Sequence, residues 1–83
     1  MAVFFNKEKI KEAELLSFTK GMYYLLKGKV NIVESLNLIS LNYKNSLKER
    51  IIRTKKEIEK GMELSKAFSK ITEDEDFLGM IRI

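Results

Sequence analysis

The side chains in this sequence that can do chemistry are hydroxyls, carboxylates, amines and guanidiniums, because histidine and cysteine are absent. The commonest general base and the commonest metal ligand are therefore missing. Disulfides and thiolate metal sites are excluded with them. Ser17, Ser35, Ser65 and Ser69 have no imidazole partner, so a hydrolase triad cannot be assembled. Lys27, Gly28 and Lys29 place amines beside a glycine. A phosphate loop also needs a preceding strand, a longer glycine-rich turn and a Ser or Thr after the lysine. The run Glu73, Asp74, Glu75, Asp76 offers carboxylates to a cation but lacks the alternating ligands and glycine of a calcium loop. It suits the positive end of a helix dipole better. No cofactor or metal is expected, and the chain reads as non-enzymatic.

What remains is electrostatic. Arg50, Arg53, Lys56 and Lys60 recur at three- and four-residue spacing, which gathers cations along a helix. Glu49, Glu57 and Glu59 interrupt them, and no aromatic residues alternate with them to stack on bases. The plain reading is a solvated helix face. The functional reading is a docking surface for a protein or an anionic lipid, with a small basic nucleic-acid-binding protein as the alternative.

The elements that must carry these groups are helical. The chain has 83 residues, no proline and only four glycines. Proline breaks a helix, and an interior glycine costs about 1 kcal/mol relative to alanine. Charged residues make up 34% of the sequence, which suits long solvated helix faces, and the net charge of +4 weakly favours anionic partners. One domain with a thin core is expected at this length. No apolar run approaches a membrane span, and the start lacks the form of a secretion signal, so the polypeptide itself reads as soluble and cytoplasmic.

Residues 1–10 read as a lead-in, with Asn6 capping a helix that begins near Lys7 or slightly later. Leu15, Leu16, Phe18, Met22, Leu25 and Leu26 mark the first amphipathic helix. Gly21 inside it implies a closely packed neighbour, and Gly28 ends it in a left-handed turn. Tyr23 and Tyr24 point about 100° apart, so one should face the core and one the surface. Asn31 and Glu34 form a capping box for a second helix with Ile32, Val33, Leu36, Ile39 and Tyr43 as its buried stripe. Leu38 and Leu41 widen that stripe and imply a helix lying between neighbours.

Ser46 with Glu49 predicts the cap of a third helix, with Leu47, Ile51, Thr54, Ile58 and Met62 inward. Glu49 and Arg53 are placed to pair across one turn. Gly61 ends this helix. Leu64, Ala67, Phe68 and Ile71 form a short fourth helix, and Thr72 with Glu75 caps a last segment holding Phe77, Leu78, Met80, Ile81 and Ile83. The fold expected is an antiparallel all-α bundle of four to five helices over residues 11–83, truncated at its C-terminal end.

The stretch from Phe18 to Ile83 resembles the repeated cytoplasmic domain of the type II secretion F family, the inner-membrane platform proteins of type II secretion and type IV pilus machines. The resemblance runs through Phe18, Met22, Leu25, Leu26, Gly28, Val30, Ile32 and Leu36. It continues with Asn45 and Leu47, then with Gly61, Leu64, Ser65, Ala67 and Phe68, and ends at Phe77, Met80 and Ile81. Lys29 stands for the family's usual Gly, Asn31 for Pro, Ser35 for Ala and Glu63 for a capping Ser. The resemblance implies a six-helix bundle per complete domain, of which this chain holds the first four helices and the start of a fifth. It also implies two such domains and three membrane spans per full-length protein. The role implied is a scaffold on the cytoplasmic face of the bacterial inner membrane. It would couple the assembly ATPase to pilin movement, with other platform subunits and further copies of itself as partners.

Overall fold

The computed structural model describes residues 10–81, and the Asn6 cap, the helical start near Lys7 and Ile83 lie outside them. Five helices follow in order: α1 Glu12–Lys27, α2 Ile32–Ser40, α3 Asn45–Glu59, α4 Leu64–Phe68 and α5 Glu75–Ile81. No strand occurs among the described residues. The all-helical bundle expected from periodicity is the architecture found. Each helix packs mainly on its neighbours in sequence, as short connections dictate.

The core forms where the apolar stripes meet. Phe18 and Met22 of α1, Leu36 and Ile39 of α2, Leu47 and Ile51 of α3, Phe68 of α4, and Phe77, Leu78 and Ile81 of α5 are buried together with Ile71. Three rings sit at its centre. Phe68 and Phe77 are 5.4 Å apart, and Phe18 lies 6.0 Å from Phe77 and 6.4 Å from Phe68. They tie the first helix to the last two, in tilted and edge-on arrangements that rings favour. Gly21 has the predicted close neighbour. A Cβ there would stand 2.6 Å from Ile39 Cδ1, so the missing side chain lets α1 and α2 approach.

Helix ends depart from the expectations in three places. First, Gly28 is not left-handed, with φ −81°; the positive φ of 67° belongs to Lys29. The Val30 N–H donates to the Leu25 carbonyl and the Lys29 N–H to that of Leu26. These two bonds make a Schellman turn with Lys29 at the position glycine usually takes. The end of α3 repeats the pattern, Met62 donating to Glu57 and Gly61 to Ile58, with Gly61 at φ 103° as expected.

Second, the Ser46–Glu49 box does not form. Lys44 precedes α3 with no side-chain cap, Asn45 adopts φ 59°, and Ser46 is buried. Third, α5 is capped by Asp74, whose Oδ1 accepts from the Asp76 and Phe77 N–H groups. Thr72 is used one step earlier: its backbone N–H closes the α4 turn on Phe68, and its Oγ1 accepts from the Asp74 N–H. The Asn31 cap stands, with its Oδ1 accepting from the Glu34 N–H at 3.1 Å.

Two readings of apolar positions are corrected. The second helix does lie between neighbours, α1 and α3, but Leu38 and Leu41, 41% and 72% exposed, do not widen its buried stripe. Tyr23 and Tyr24 are both exposed, at 44% and 69%, rather than one in and one out. A helix in so thin a bundle buries an arc of little more than ~100°, and Phe18, Met22, Leu36 and Ile39 already fill it.

Candidate interaction surfaces

The hydroxyls singled out from the sequence are occupied locally. Ser17 Oγ accepts from Tyr43 Oη at 2.6 Å, Ser35 donates to the Val30 carbonyl, Ser65 to Glu63 Oε1, and Ser69 to the Lys66 carbonyl. Among the described residues, no three carboxylates gather where a metal ion could sit. Lys27, Gly28 and Lys29 occupy the C-terminal end of α1. Carbonyls rather than N–H groups point outward there, the wrong polarity for a phosphate.

Two surfaces remain. The first is the outer face of α3. Arg53, Lys56 and Lys60 are exposed and share one stripe with Glu49. Arg50 is half-buried and lies roughly 90° around the helix from them, so the four-residue basic face contracts to three. No ion pair joins Glu49 to Arg53. The ion pair at this end of the molecule joins Lys70 to Glu57, binding the α4 exit to the last turn of α3. Glu57 Oε1 is buried with no hydrogen-bond partner. Lys70 offsets the charge of Glu57, and three cations against Glu49 leave the stripe net positive toward a partner.

The second surface was not read from the sequence. Among the described residues, Leu16, Tyr23, Tyr24, Leu38 and Leu41 are the exposed large apolar side chains, and they belong to α1 or to the end of α2. Between the two helices runs a cleft of about 440 Å³ lined by Ser17, Gly21, Tyr24, Leu25, Leu38, Ile39, Asn42 and Tyr43. Gly21 and Ile39, in close approach, make its floor, and the Tyr43–Ser17 hydrogen bond links its two walls. Tyr23 and Tyr24 meet edge to face at 5.6 Å, and Lys27 Nζ stands 5.6 Å from the Tyr23 ring centroid. The signal was present as an excess: the apolar positions of α1 and α2 span too wide an arc for one buried face.

The residues that carry the family resemblance take structural positions. Phe18, Leu36 and Ala67 are fully buried, Leu64 packs against the core, and Gly28 and Gly61 lie in the turns that follow α1 and α3. No family model, curated protein or solved structure matches the chain. No helix among the described residues is long and apolar enough to cross a membrane.

Proposed function

We propose that this chain is a non-catalytic scaffold domain of an inner-membrane platform protein of type II secretion or type IV pilus assembly. It works on the cytoplasmic face of the bacterial inner membrane, as part of a longer membrane-embedded protein. Its partners are the assembly ATPase and neighbouring platform subunits, including further copies of itself. The observation that carries this reading is the division of the surface. A rigid basic stripe, Arg53, Lys56 and Lys60, stands on α3, and an apolar cleft face stands on α1 and α2. Groups able to do chemistry are meanwhile spent on caps and turns. The order of turns and buried motif residues, from Phe18 through Gly61 to Ala67, supports the family assignment.

On this reading the α3 stripe docks an acidic face of the ATPase. Complementary charge steers such encounters and fixes their register. The test is a titration of purified assembly ATPase against the wild-type chain and against Arg53→Glu/Lys56→Glu/Lys60→Glu. Saturable binding that the triple variant loses is expected; binding unchanged by reversal, or none at all, refutes it. The exposed cations also favour a second reading, nucleic-acid binding. Labelled DNA bound tightly at low salt and released steeply as salt rises would establish that alternative instead.

A further inference from the structure

The net charge of the chain comes from one segment. Between Glu14 and Glu49 there are five lysines, Lys20, Lys27, Lys29, Lys44 and Lys48, and one carboxylate, Glu34. That surplus of four equals the net charge of the whole sequence, so the remaining residues balance to zero. The segment covers most of α1, all of α2 and the entry to α3. Four exposed apolar side chains belong to it as well: Tyr23 and Tyr24 on α1, Leu38 and Leu41 on α2. Leu16 does not join them, because it lines a separate hollow with Thr72 and Asp74.

The two kinds of side chain share one face. Lys20, Tyr23, Tyr24 and Lys27 are all exposed and fall within an arc of about 100° on the outside of α1. Leu38 stands on the other wall of the cleft from Tyr24, and Leu41 projects from the end of α2 at 72% exposure. Gly21 against Ile39 and Ser17 against Tyr43 show the two helices running antiparallel. Lys29 after α1 and Lys44 after α2, both exposed, therefore put a cation at each end of the face. Glu34 lies about two helical turns before Leu41, so α2 offers its apolar residues from its C-terminal end. Apolar side chains bordered by cations match an anionic bilayer, whose phosphates lie above its hydrocarbon in a fixed order of depth. Tyrosine rings settle at headgroup level. Leucines reach below it, and lysine stems lie along apolar surface while their ammonium groups meet phosphate. An acidic protein face would supply the charge without the hydrocarbon beneath it.

We propose that the α1–α2 face docks on an anionic phospholipid surface, with Leu38, Leu41 and Tyr24 entering the headgroup layer and Lys20, Lys27, Lys29 and Lys44 meeting its phosphates. This contact goes beyond the scaffold reading and uses none of the α3 stripe. Failure of lipid docking and failure of ATPase binding are therefore separately visible.

Co-sedimentation with vesicles of phosphatidylglycerol and phosphatidylcholine in equal parts tests it, with pure phosphatidylcholine vesicles as the control. Binding to the first that falls as salt rises, and little to the second, is expected. Lys20→Gln/Lys27→Gln should weaken it about fivefold for each lysine removed, and Leu41→Asp about tenfold or more. Both variants change exposed side chains, so helicity and melting should match wild type. At about 150 mM salt, where charges more than ~8 Å from the lipid are screened, Arg53→Gln/Lys56→Gln/Lys60→Gln should bind as wild type does. The sequence has no tryptophan, so Leu41→Trp supplies a single indole whose emission should shift to the blue on the anionic vesicles, and Arg53→Trp one that should not. No binding to anionic vesicles, a loss produced by the α3 variant instead of the Lys20/Lys27 pair, or a Leu41→Trp emission unmoved by lipid would each overturn the proposal. So would a free chain that self-associates and buries the Leu41→Trp indole without lipid, which would give the face to a second copy.

Discussion

Lys29 and Gly61 occupy the same place in two copies of one turn, and they should respond to substitution with opposite signs. Each closes a helix by the same pair of bonds, and each has positive φ, 67° and 103°. An L-residue in the left-handed region loses about 1–2 kcal/mol to the clash between its Cβ and the following carbonyl. Replacing Lys29 by glycine removes that strain. It also frees the unfolded chain, which gives back about 0.4–1 kcal/mol. Lys29→Gly should therefore stabilise the domain by about 0.5–1 kcal/mol, raising the midpoint of thermal unfolding by roughly 2–8 °C for a domain of this size.

Gly61→Ala moves the other way. A Cβ at Gly61 meets no atom within 4 Å, so the loss is purely conformational. It should amount to about 1–2 kcal/mol, and somewhat less if the shorter unfolded-state entropy of alanine is counted. Circular dichroism at 222 nm through a urea titration measures both on one scale. A destabilising Lys29→Gly, or a Gly61→Ala indistinguishable from wild type, would show that these turns are not closed as described.

Five further substitutions test the core and the caps. Phe18→Ala removes a fully buried ring from the aromatic cluster and should cost about 3–5 kcal/mol, enough to unfold much of so small a domain at 37 °C; thermal melts will show it. Asp74→Ala should cost about 1 kcal/mol by leaving the Asp76 and Phe77 N–H groups uncapped, whereas Thr72→Ala should cost less, and urea midpoints rank them. Asn31→Ala should likewise cost about 1 kcal/mol in the same assay, while Ser46→Ala loses no cap.

The order of helices was legible in the sequence because charge and grease separate cleanly. On α3 the buried positions Leu47, Ile51 and Thr54 are divided from an outer side of lysines, arginines and glutamates, and a period of 3.6 residues needs no tertiary information to read. Gly61 was legible because only glycine takes φ near 100° without strain. Lys29 was not, because a lysine in the left-handed region breaks the local rule that points to its glycine neighbour. Between Thr72 and Asp74 both oxygens suit a cap, and the choice falls on Asp74 only because Thr72 is still held by the α4 turn.

The surfaces divide in the same way. Arg53, Lys56 and Lys60 follow directly from spacing, while Arg50 drops out because it is half-buried and lies to one side of that stripe. Leu38, Leu41, Tyr23 and Tyr24 could not be placed outside the core by periodicity alone. An apolar residue reserved for a partner has the same pattern as one reserved for the interior. Only the count of neighbours available to α1 and α2 separates the two.

The claim on which the account turns is that α3 grips a partner protein through its exposed cations. Amide chemical-shift mapping of the labelled chain with increasing assembly ATPase reads that contact residue by residue. Saturable shifts centred on Arg53, Lys56 and Lys60 are predicted, sparing the buried resonances of Phe18 and Leu36. A spectrum in which no α3 resonance moves at saturating ATPase would contradict it.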